Sequence, residues 1–180
     1  MTDESNLELY AVPMSRLWQV LYLLGVAATA GAVAWSFKVG FTWSAICLLV
    51  VGIPLGALYW YMIFYAPSRI YLGMGETSLT VAAAPFAVRV VPYAEIERVF
   101  EIDLKNPAPE NESLKPGKSK RGLKVGSYRA GIFKIASGKE ALFAVSRKNA
   151  IGLRTSEGFI FVSPSRMQHF REMLAAYGVS

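Results

Sequence analysis

The sequence predicts a transmembrane α-helical hairpin followed by a mainly β domain, an antiparallel β-sandwich or half-barrel with a C-terminal capping helix. Three observations predict it: two long apolar runs near the start, a later series of short strand-like runs, and a final amphipathic segment. Of the 180 residues, 53% are hydrophobic and 18% are charged, which excludes a disordered chain and an ordinary soluble domain. The single Cys47 and single His169 exclude an internal disulfide and argue against a zinc site.

The two apolar runs define the hairpin. Between Leu17 and Tyr65 the only charge is Lys38, which separates the runs at 17–37 and 41–65. Each run is long enough to cross a bilayer. The sequence therefore divides into a cytoplasmic N-terminal tail, the hairpin and a cytoplasmic domain, at residues 1–16, 17–65 and 66–180.

The flanking charges predict the orientation of the hairpin. Arg16 and Arg69 lie on one side of it and Lys38 lies on the other, so the positive-inside rule places both termini in the cytoplasm of a bacterial inner membrane. The first sixteen residues carry three acids and one arginine and lack the basic start of a signal peptide, so we expect the first apolar run to be retained. The net charge of +6 suggests an anionic neighbour, which could be phospholipid, nucleic acid or an acidic protein.

Four tryptophans support the antiparallel pairing. When two antiparallel helices cross a membrane, the position numbers of residues at equal depth add up to the same value. The positions of Trp18 and Trp60 have the same sum as those of Trp35 and Trp43, so each pair is expected at one depth. The two tryptophans of each run are 17 positions apart, which at a helical rise of about 1.5 Å is about 26 Å, close to the hydrocarbon thickness of about 30 Å. We expect them to form the two interfacial aromatic belts, with a tight turn near Val39 and Gly40.

Small residues lie level with one another near the middle of the predicted hairpin. They let helix backbones approach closely. Two interpretations stay open: the hairpin packs on itself, or these residues form a surface for the helices of another subunit. The residues concerned are Gly25, Ala28, Gly31, Gly52 and Gly56. Pro54 removes one helical hydrogen bond and is expected to bend the second helix.

Beyond Tyr65 the periodicity becomes strand-like, with turn-forming residues between short β-branched or aromatic runs. Ser163 and Pro164 suit the N-cap and first residue of a final helix, in which Phe170 and Leu174 belong to one apolar stripe. The predicted strands are 70–72, 78–82, 86–91, 95–104, 123–128, 132–136, 141–146, 152–155 and 159–162.

The β half of the chain resembles the bacterial pleckstrin-homology-like (bacterial PH) domains, many of which are membrane-anchored behind two transmembrane helices. The resemblance covers residues 66–178. It implies a mainly β PH-like domain, a seven-stranded, roughly orthogonal β-sandwich or half-barrel with a C-terminal capping helix, and it implies no activity. It does not imply inositide binding either, because the first interstrand loop, Gly73 to Glu76, has no basic residue. The motifs that carry it are Pro92-Tyr-Ala-Glu-Ile96, Gly126-Ser-Tyr-Arg-Ala-Gly131-Ile-Phe133, Ser137-Gly138, Ile151-Gly-Leu-Arg-Thr155-Ser-Glu-Gly158-Phe-Ile-Phe-Val-Ser-Pro164, Phe170 and Leu174.

A long polar segment, Lys105 to Gly122, shows no strand or helix pattern and is expected to be a loop. Its second half, together with Lys124, holds five positive charges within ten positions: Lys115, Lys118, Lys120, Arg121 and Lys124. They could be a solvated loop, a site for anionic lipid head groups, or a site for an acidic partner protein. Nucleic acid is not expected, because no aromatic platform accompanies these lysines.

An acidic stripe is predicted on one face of the strand at 95–104. By alternation, Glu95, Glu97, Glu101 and Asp103 share that face. The stripe could be a solvent face paired with neighbouring basic residues, or a partner surface. Arg98 interrupts the opposite, apolar face, which indicates a bulge or a sheet edge at that point.

No residue set for catalysis, cofactor binding or metal binding emerges from the sequence. The first hypothesis is therefore a non-enzymatic accessory, assembly or stabilising subunit of a respiratory, photosynthetic or transport complex, docked on integral membrane proteins. The second is a membrane-anchored module that senses anionic lipids.

Overall fold

The structure is a computed structural model that describes residues 8–179. Contacts divide these residues into two compact units, a helical unit at 14–67 and a β unit that combines 8–13 with 68–179. The β unit is thus formed by two segments of the chain, one before and one after the helical unit in the sequence.

The helical unit contains both predicted apolar runs as helices. These are α1 (Arg16–Lys38) and α2 (Thr42–Trp60), and α2 runs on through a π-helical turn (Tyr61–Tyr65) into a short α3 (Ala66–Ser68). Gly40, with φ of +82°, provides the left-handed residue that the tight turn between α1 and α2 requires. Both helical stretches, of 23 and 27 residues, are long and apolar enough to cross a membrane.

One sheet of the β unit has four antiparallel strands, in the order β1-β2-β3-β4. β1 (Glu8–Ala11) comes from the segment that the sequence treats as a tail, and it was not predicted because four residues are too few to show a period. Residues 1–7 of that tail lie outside the described residues. The other three strands are β2 (Ile70–Met74), β3 (Ser78–Ala83) and β4 (Ala87–Pro92).

The second sheet has six strands, in the order β5-β9-β10-β8-β7-β6. Its pairs are antiparallel except β8 with β10, because β9 and β10 form a hairpin whose returning strand lies beside β8. Residues 8–179 thus contain ten strands where the resemblance implied seven, and β1 is one of the additions. The strands are β5 (Ile96–Asp103), β6 (Pro116–Val125), β7 (Tyr128–Ile135), β8 (Glu140–Val145), β9 (Asn149–Thr155) and β10 (Gly158–Val162).

The C-terminal helix α4 (Met167–Ala176) buries Phe170 and Leu174, as its stripe predicts. Its predicted N-cap was wrong, because the helix begins four residues after Ser163. The Ser163 amide donates to the Ala144 carbonyl at 3.0 Å, and its hydroxyl donates to the Asn149 carbonyl at 3.2 Å. Ser163 therefore prolongs the strand ladder beyond β10 and cannot open the helix.

The expectation of a structureless loop from Lys105 to Gly122 was also wrong. A 3-10 helix (Pro109–Leu114) precedes β6, which begins at Pro116. Leu104 and Leu114 are buried in an apolar cluster with Phe133, so this segment covers part of the six-stranded sheet. Burial of Leu114 within the segment, and of Leu104 just before it, fixes a segment whose polar composition resembles that of a mobile loop.

Candidate functional site: two charged sheet edges and an open helix face

The five predicted cations line one edge of the six-stranded sheet, and we call them the cationic edge. Lys118, Lys120, Arg121 and Lys124 lie on the edge strand β6, and Lys115 immediately precedes it. All five are exposed. The pairing of β6 with β7 shifts register twice between Pro116 and Arg121. Lysines and bulges on an edge strand also prevent pairing with other chains, which is a purely structural reason for part of this pattern.

Most of this positive charge forms no ion pair with the part of the chain that the structure describes. The Lys120 ammonium lies 2.6 Å from a carboxylate oxygen of Glu140. Among residues 8–179 the other four cations form no ion pair. Arg129, opposite Lys124 on β7, is half-buried, and burial lowers the pKa of its guanidinium. An arginine stays charged at neutral pH nonetheless, so the edge carries uncompensated positive charge.

The acidic stripe lies at the opposite edge of the same sheet, on β5. Glu97 pairs with Arg154 of the neighbouring strand at 3.0 Å, and Glu101 pairs with Arg171 of α4 at 2.7 Å. The expected irregularity at Arg98 is confirmed in both forms, since the register shifts there and β5 is an edge strand.

Asp103 and Glu95, at the two ends of the stripe, differ in their contacts and position from Glu97 and Glu101. A carboxylate oxygen of Asp103 accepts hydrogen bonds from the amides of Lys105 (2.8 Å) and Asn106 (3.1 Å), which hold the pKa of Asp103 below its usual value. Glu95 belongs to the 3-10 helix Tyr93–Glu95 and lies outside the strand. Neighbouring groups thus satisfy three of the four acids, and the cationic edge is the less compensated of the two.

The small residues of the helical unit differ in how they are used. A Cβ added at Gly52 would lie 3.4 Å from Cγ2 of Thr29, so the two helices pack closely there. The Tyr22 hydroxyl donates to the Gly56 carbonyl at 3.1 Å. By contrast, apart from the adjacent backbone of α1, no atom of residues 8–179 lies within 4 Å of a Cβ added at Gly25 or Gly31, on either side of Ala28. The hairpin packs through part of the small-residue set and leaves the rest open.

The four tryptophans lie near the ends of the two helices. Trp18 and Trp35 are in the first and last turns of α1, and Trp43 and Trp60 are in the first and last turns of α2. Trp35, Trp43 and Trp60 are exposed and Trp18 is half-buried. This placement fits the predicted belts, and their position in a bilayer stays a prediction.

The described residues contain no group of three or more His, Cys, Asp or Glu side chains that could hold a metal ion. The imidazole of His169 lies 3.0 Å from a carboxylate oxygen of Glu8, so this histidine links α4 to β1. A cavity of about 250 Å³ opens beside the β9–β10 turn. Of its charged lining residues, Glu97 pairs with Arg154 and Glu157 pairs with Arg89, whereas Lys139 forms no ion pair among residues 8–179.

Two β-sheets closed by a C-terminal helix, behind two apolar helices, define a PH-like module with a candidate membrane anchor. Residues 73–177 match the family model of the bacterial PH domain. The chain therefore belongs to the bacterial PH domain family, as its motifs implied. No match was found among curated proteins or among solved structures. PH-like domains are typically non-catalytic.

Proposed function

We propose that the protein is a non-enzymatic accessory subunit that stabilises or assembles a larger membrane protein complex. Its helical pair would anchor it and dock on integral membrane proteins, and its β unit would hold a partner on the cytoplasmic side. The family favours a binding role over an enzymatic one, because PH-like domains are typically non-catalytic.

The observation that carries this proposal is the open small-residue face of α1. None of the most apolar window of α1 is buried within the chain. Gly25 and Gly31 have no neighbour within 4 Å of an added Cβ, and Ala28 lies between them in sequence. Small residues let two helix backbones approach, and packing is a main driving force for helix association in lipid. This face suits the helix of another subunit.

The β unit contributes the cationic edge. Lys115, Lys118, Arg121 and Lys124 form no ion pair within the described residues, so an acidic partner surface could bind them without displacing an internal contact. Complementary charge gives specificity and faster association more than affinity. The paired acids at the opposite edge would contribute less.

A substitution on the open face tests the proposal. Replacing both Gly25 and Gly31 with leucine should abolish stoichiometric co-purification of membrane partners in mild detergent and leave the hairpin intact, since a Cβ added at either position meets no other part of the described chain within 4 Å. The matched control is Ala30→Leu, an exposed position of α1 outside this small-residue set. Recovery of the unaltered protein as a monomer without a stoichiometric partner would contradict the proposal.

A second candidate is the sensing of anionic lipid, favoured by the unpaired cations of β6. Near an anionic leaflet each cation could contribute about 1 kcal/mol, less with screening by salt. Full-length protein in zwitterionic nanodiscs should then capture anionic vesicles in a salt-sensitive way. Replacing the five cations of the cationic edge with glutamine should abolish capture, whereas Arg147→Gln with Lys148→Gln, in the β8–β9 turn, should not. Equal capture of zwitterionic vesicles would eliminate this candidate.

A further inference from the structure

The β unit concentrates its exposed large apolar side chains on one sheet. Of the five in the described part of the unit, Leu9, Tyr71, Val88 and Val90 belong to the four-stranded sheet, with 63%, 39%, 62% and 59% of their surface exposed. The fifth, Tyr177, stacks on Tyr93 with ring centroids 4.6 Å apart. Contiguous exposed apolar surface marks an interaction site more often than scattered apolar residues do.

Strand register places the four residues on one face. Each belongs to a set of register partners that includes one residue from every strand of the sheet. The two sets are separated by two residues along each strand. The two sets are Ala11–Tyr71–Ala82–Val88 and Leu9–Gly73–Thr80–Val90. We call these eight residues the outer apolar face. Gly73 and Ala82, in its two middle strands, are themselves buried, so its exposed apolar surface comes from Leu9, Ala11, Tyr71, Val88 and Val90.

The outer apolar face contains no charged residue. Arg69 borders the face, two residues before Tyr71 in the chain. Alternation along the strands puts the charged residues within them, Glu8 and Arg89, on the opposite face. There Glu8 pairs with His169, and Arg89 pairs with Glu157. Strands lie about 4.8 Å apart and successive residues about 3.4 Å, so the Cα atoms of the face span about 14 by 7 Å.

We propose that the outer apolar face rests on the lipid of the bilayer that holds the helical pair, at the level of the head groups. This inference depends on the anchoring role proposed above. β1 is joined to α1 by four residues, and β2 is joined to α3 by Arg69 alone. Half of the strands in this sheet therefore connect directly to the two apolar helical stretches.

The short connection between Tyr65 and β2 limits the distance between the membrane interface and the start of the sheet. Trp60 and Tyr61 each pack against Tyr65, with ring centroids 6.4 and 5.2 Å apart, and such aromatic groups favour the membrane interface. From Tyr65 to Ile70 the three residues of α3 add about 4.5 Å and two further steps add at most about 7 Å. The head-group layer on each side of the hydrocarbon is about 5–8 Å thick, so β2 begins in or just beyond that layer.

The size of the face favours lipid over protein as its occupant. A stable protein interface buries about 800 Å² on each partner. The outer apolar face, even with the outward spread of its side chains, offers a fraction of that area. A bilayer surface requires no minimum area from this sheet, because the helices already hold the chain at the membrane.

Depth-dependent quenching tests the inference on the full chain in nanodiscs. A fluorophore on Val88→Cys or Val90→Cys, each made with Cys47→Ser, should be quenched several-fold more by lipids with a head-group or shallow-chain nitroxide than by an aqueous quencher. The matched control is Ser137→Cys, in the exposed β7–β8 turn, where the aqueous quencher should dominate. A label on the native Cys47, exposed on α2, should be quenched by deep-chain nitroxides.

The native cysteine separates the possible failures. If lipid quenches the Cys47 label and water quenches positions 88 and 90, the sheet inference is overturned and the anchor stands. If lipid fails to quench the Cys47 label, the anchor itself fails. If positions 88 and 90 are shielded from both quenchers, protein covers the face and the inference is again overturned. Energy transfer between labelled copies would then identify a second copy of the chain as the cover.

Discussion

The ring of Phe100 on the edge strand β5 occupies the space above Gly152, its register partner on β9. A Cβ added at Gly152 would overlap the ring, with Cε1 only 2.9 Å away. The same ring meets Phe161 edge-to-face, with centroids 6.4 Å apart. Because Gly152 has no side chain, the ring of Phe100 can pack against the sheet and join its apolar cluster.

Gly152→Ala should destabilise the β unit. Overpacking of this kind costs about 1–3 kcal/mol in the free energy of unfolding. In a Phe100→Ala background the same change should cost much less, because the obstructing ring is gone. Thermal or denaturant unfolding of the full chain in detergent, read as a double-mutant cycle, measures the coupling. Equal costs in both backgrounds would show that the contact with Phe100 is not the cause.

Stability should fall at alkaline pH through buried tyrosines. Burial, followed by the neighbouring Tyr177 and Tyr10, raises the pKa of Tyr93 from 10.0 to about 12. The folded state then keeps its proton where the unfolded state loses it, so this contribution is complete below pH 10 and is lost as pH rises to about 12. Burial also raises the pKa of Tyr10 to about 12.

Tyr93→Phe should make the alkaline loss of stability less steep. The variant also loses the hydrogen bond that the Tyr93 hydroxyl donates to the Gly75 carbonyl at 2.9 Å, at a cost of about 1 kcal/mol at neutral pH. Unfolding free energies measured from neutral pH to pH 12 compare the two slopes. An unchanged slope would mean that Tyr93 ionises equally in both states.

Packing, rather than charge, should hold β1 to α4. Tyr10 is buried, and its ring meets Phe170 edge-to-face with centroids 5.2 Å apart, so Tyr10→Ala should cost about 3–5 kcal/mol. The ion pair of Glu8 with His169 has side chains 39% and 44% exposed, so His169→Ala should cost less than about 1 kcal/mol. Amide exchange in β2, beside β1, reports release of the strand. A larger effect from His169→Ala would reverse this ranking.

Much of the fold follows from periodicity in the sequence. Each of the nine predicted strands overlaps a strand of the structure, because most alternate with buried residues and end at turn formers. β1 was missed because it has four residues and is stabilised by distant contacts, among them the pair of Tyr10 with Phe170. The start of α4 was misplaced because Ser163 is a good cap locally and a ladder residue in the tertiary structure.

The charged surfaces were found in the sequence, but their relation to each other was not. Composition identifies Lys118 and Glu101 as members of charged runs. It does not reveal that β5 and β6 form opposite edges of one sheet, because that order depends on the placement of the β9–β10 hairpin between them. The pairing of Glu101 with Arg171 joins residues 70 positions apart, which no local pattern predicts.

No local pattern in the sequence predicts the outer apolar face. Its members come from four strands, and single exposed residues such as Leu9 or Val88 are unremarkable until strand register aligns them. The sequence predicted the β4 strand but could not predict which of its two faces would be covered.

The hairpin should tolerate the loss of its interhelical hydroxyl better than the loss of its aromatic contact. Tyr22 donates to the Gly56 carbonyl, and its ring meets Phe64 edge-to-face with centroids 5.6 Å apart. Tyr22→Phe keeps the ring contact and should cost about 0.6 kcal/mol, a typical value for a hydrogen bond between membrane helices. Tyr22→Ala removes both and should cost clearly more. Reversible unfolding of the helical pair in bicelles compares them, and equal losses in the two variants would show that the hydroxyl, not the ring, holds the helices at this level.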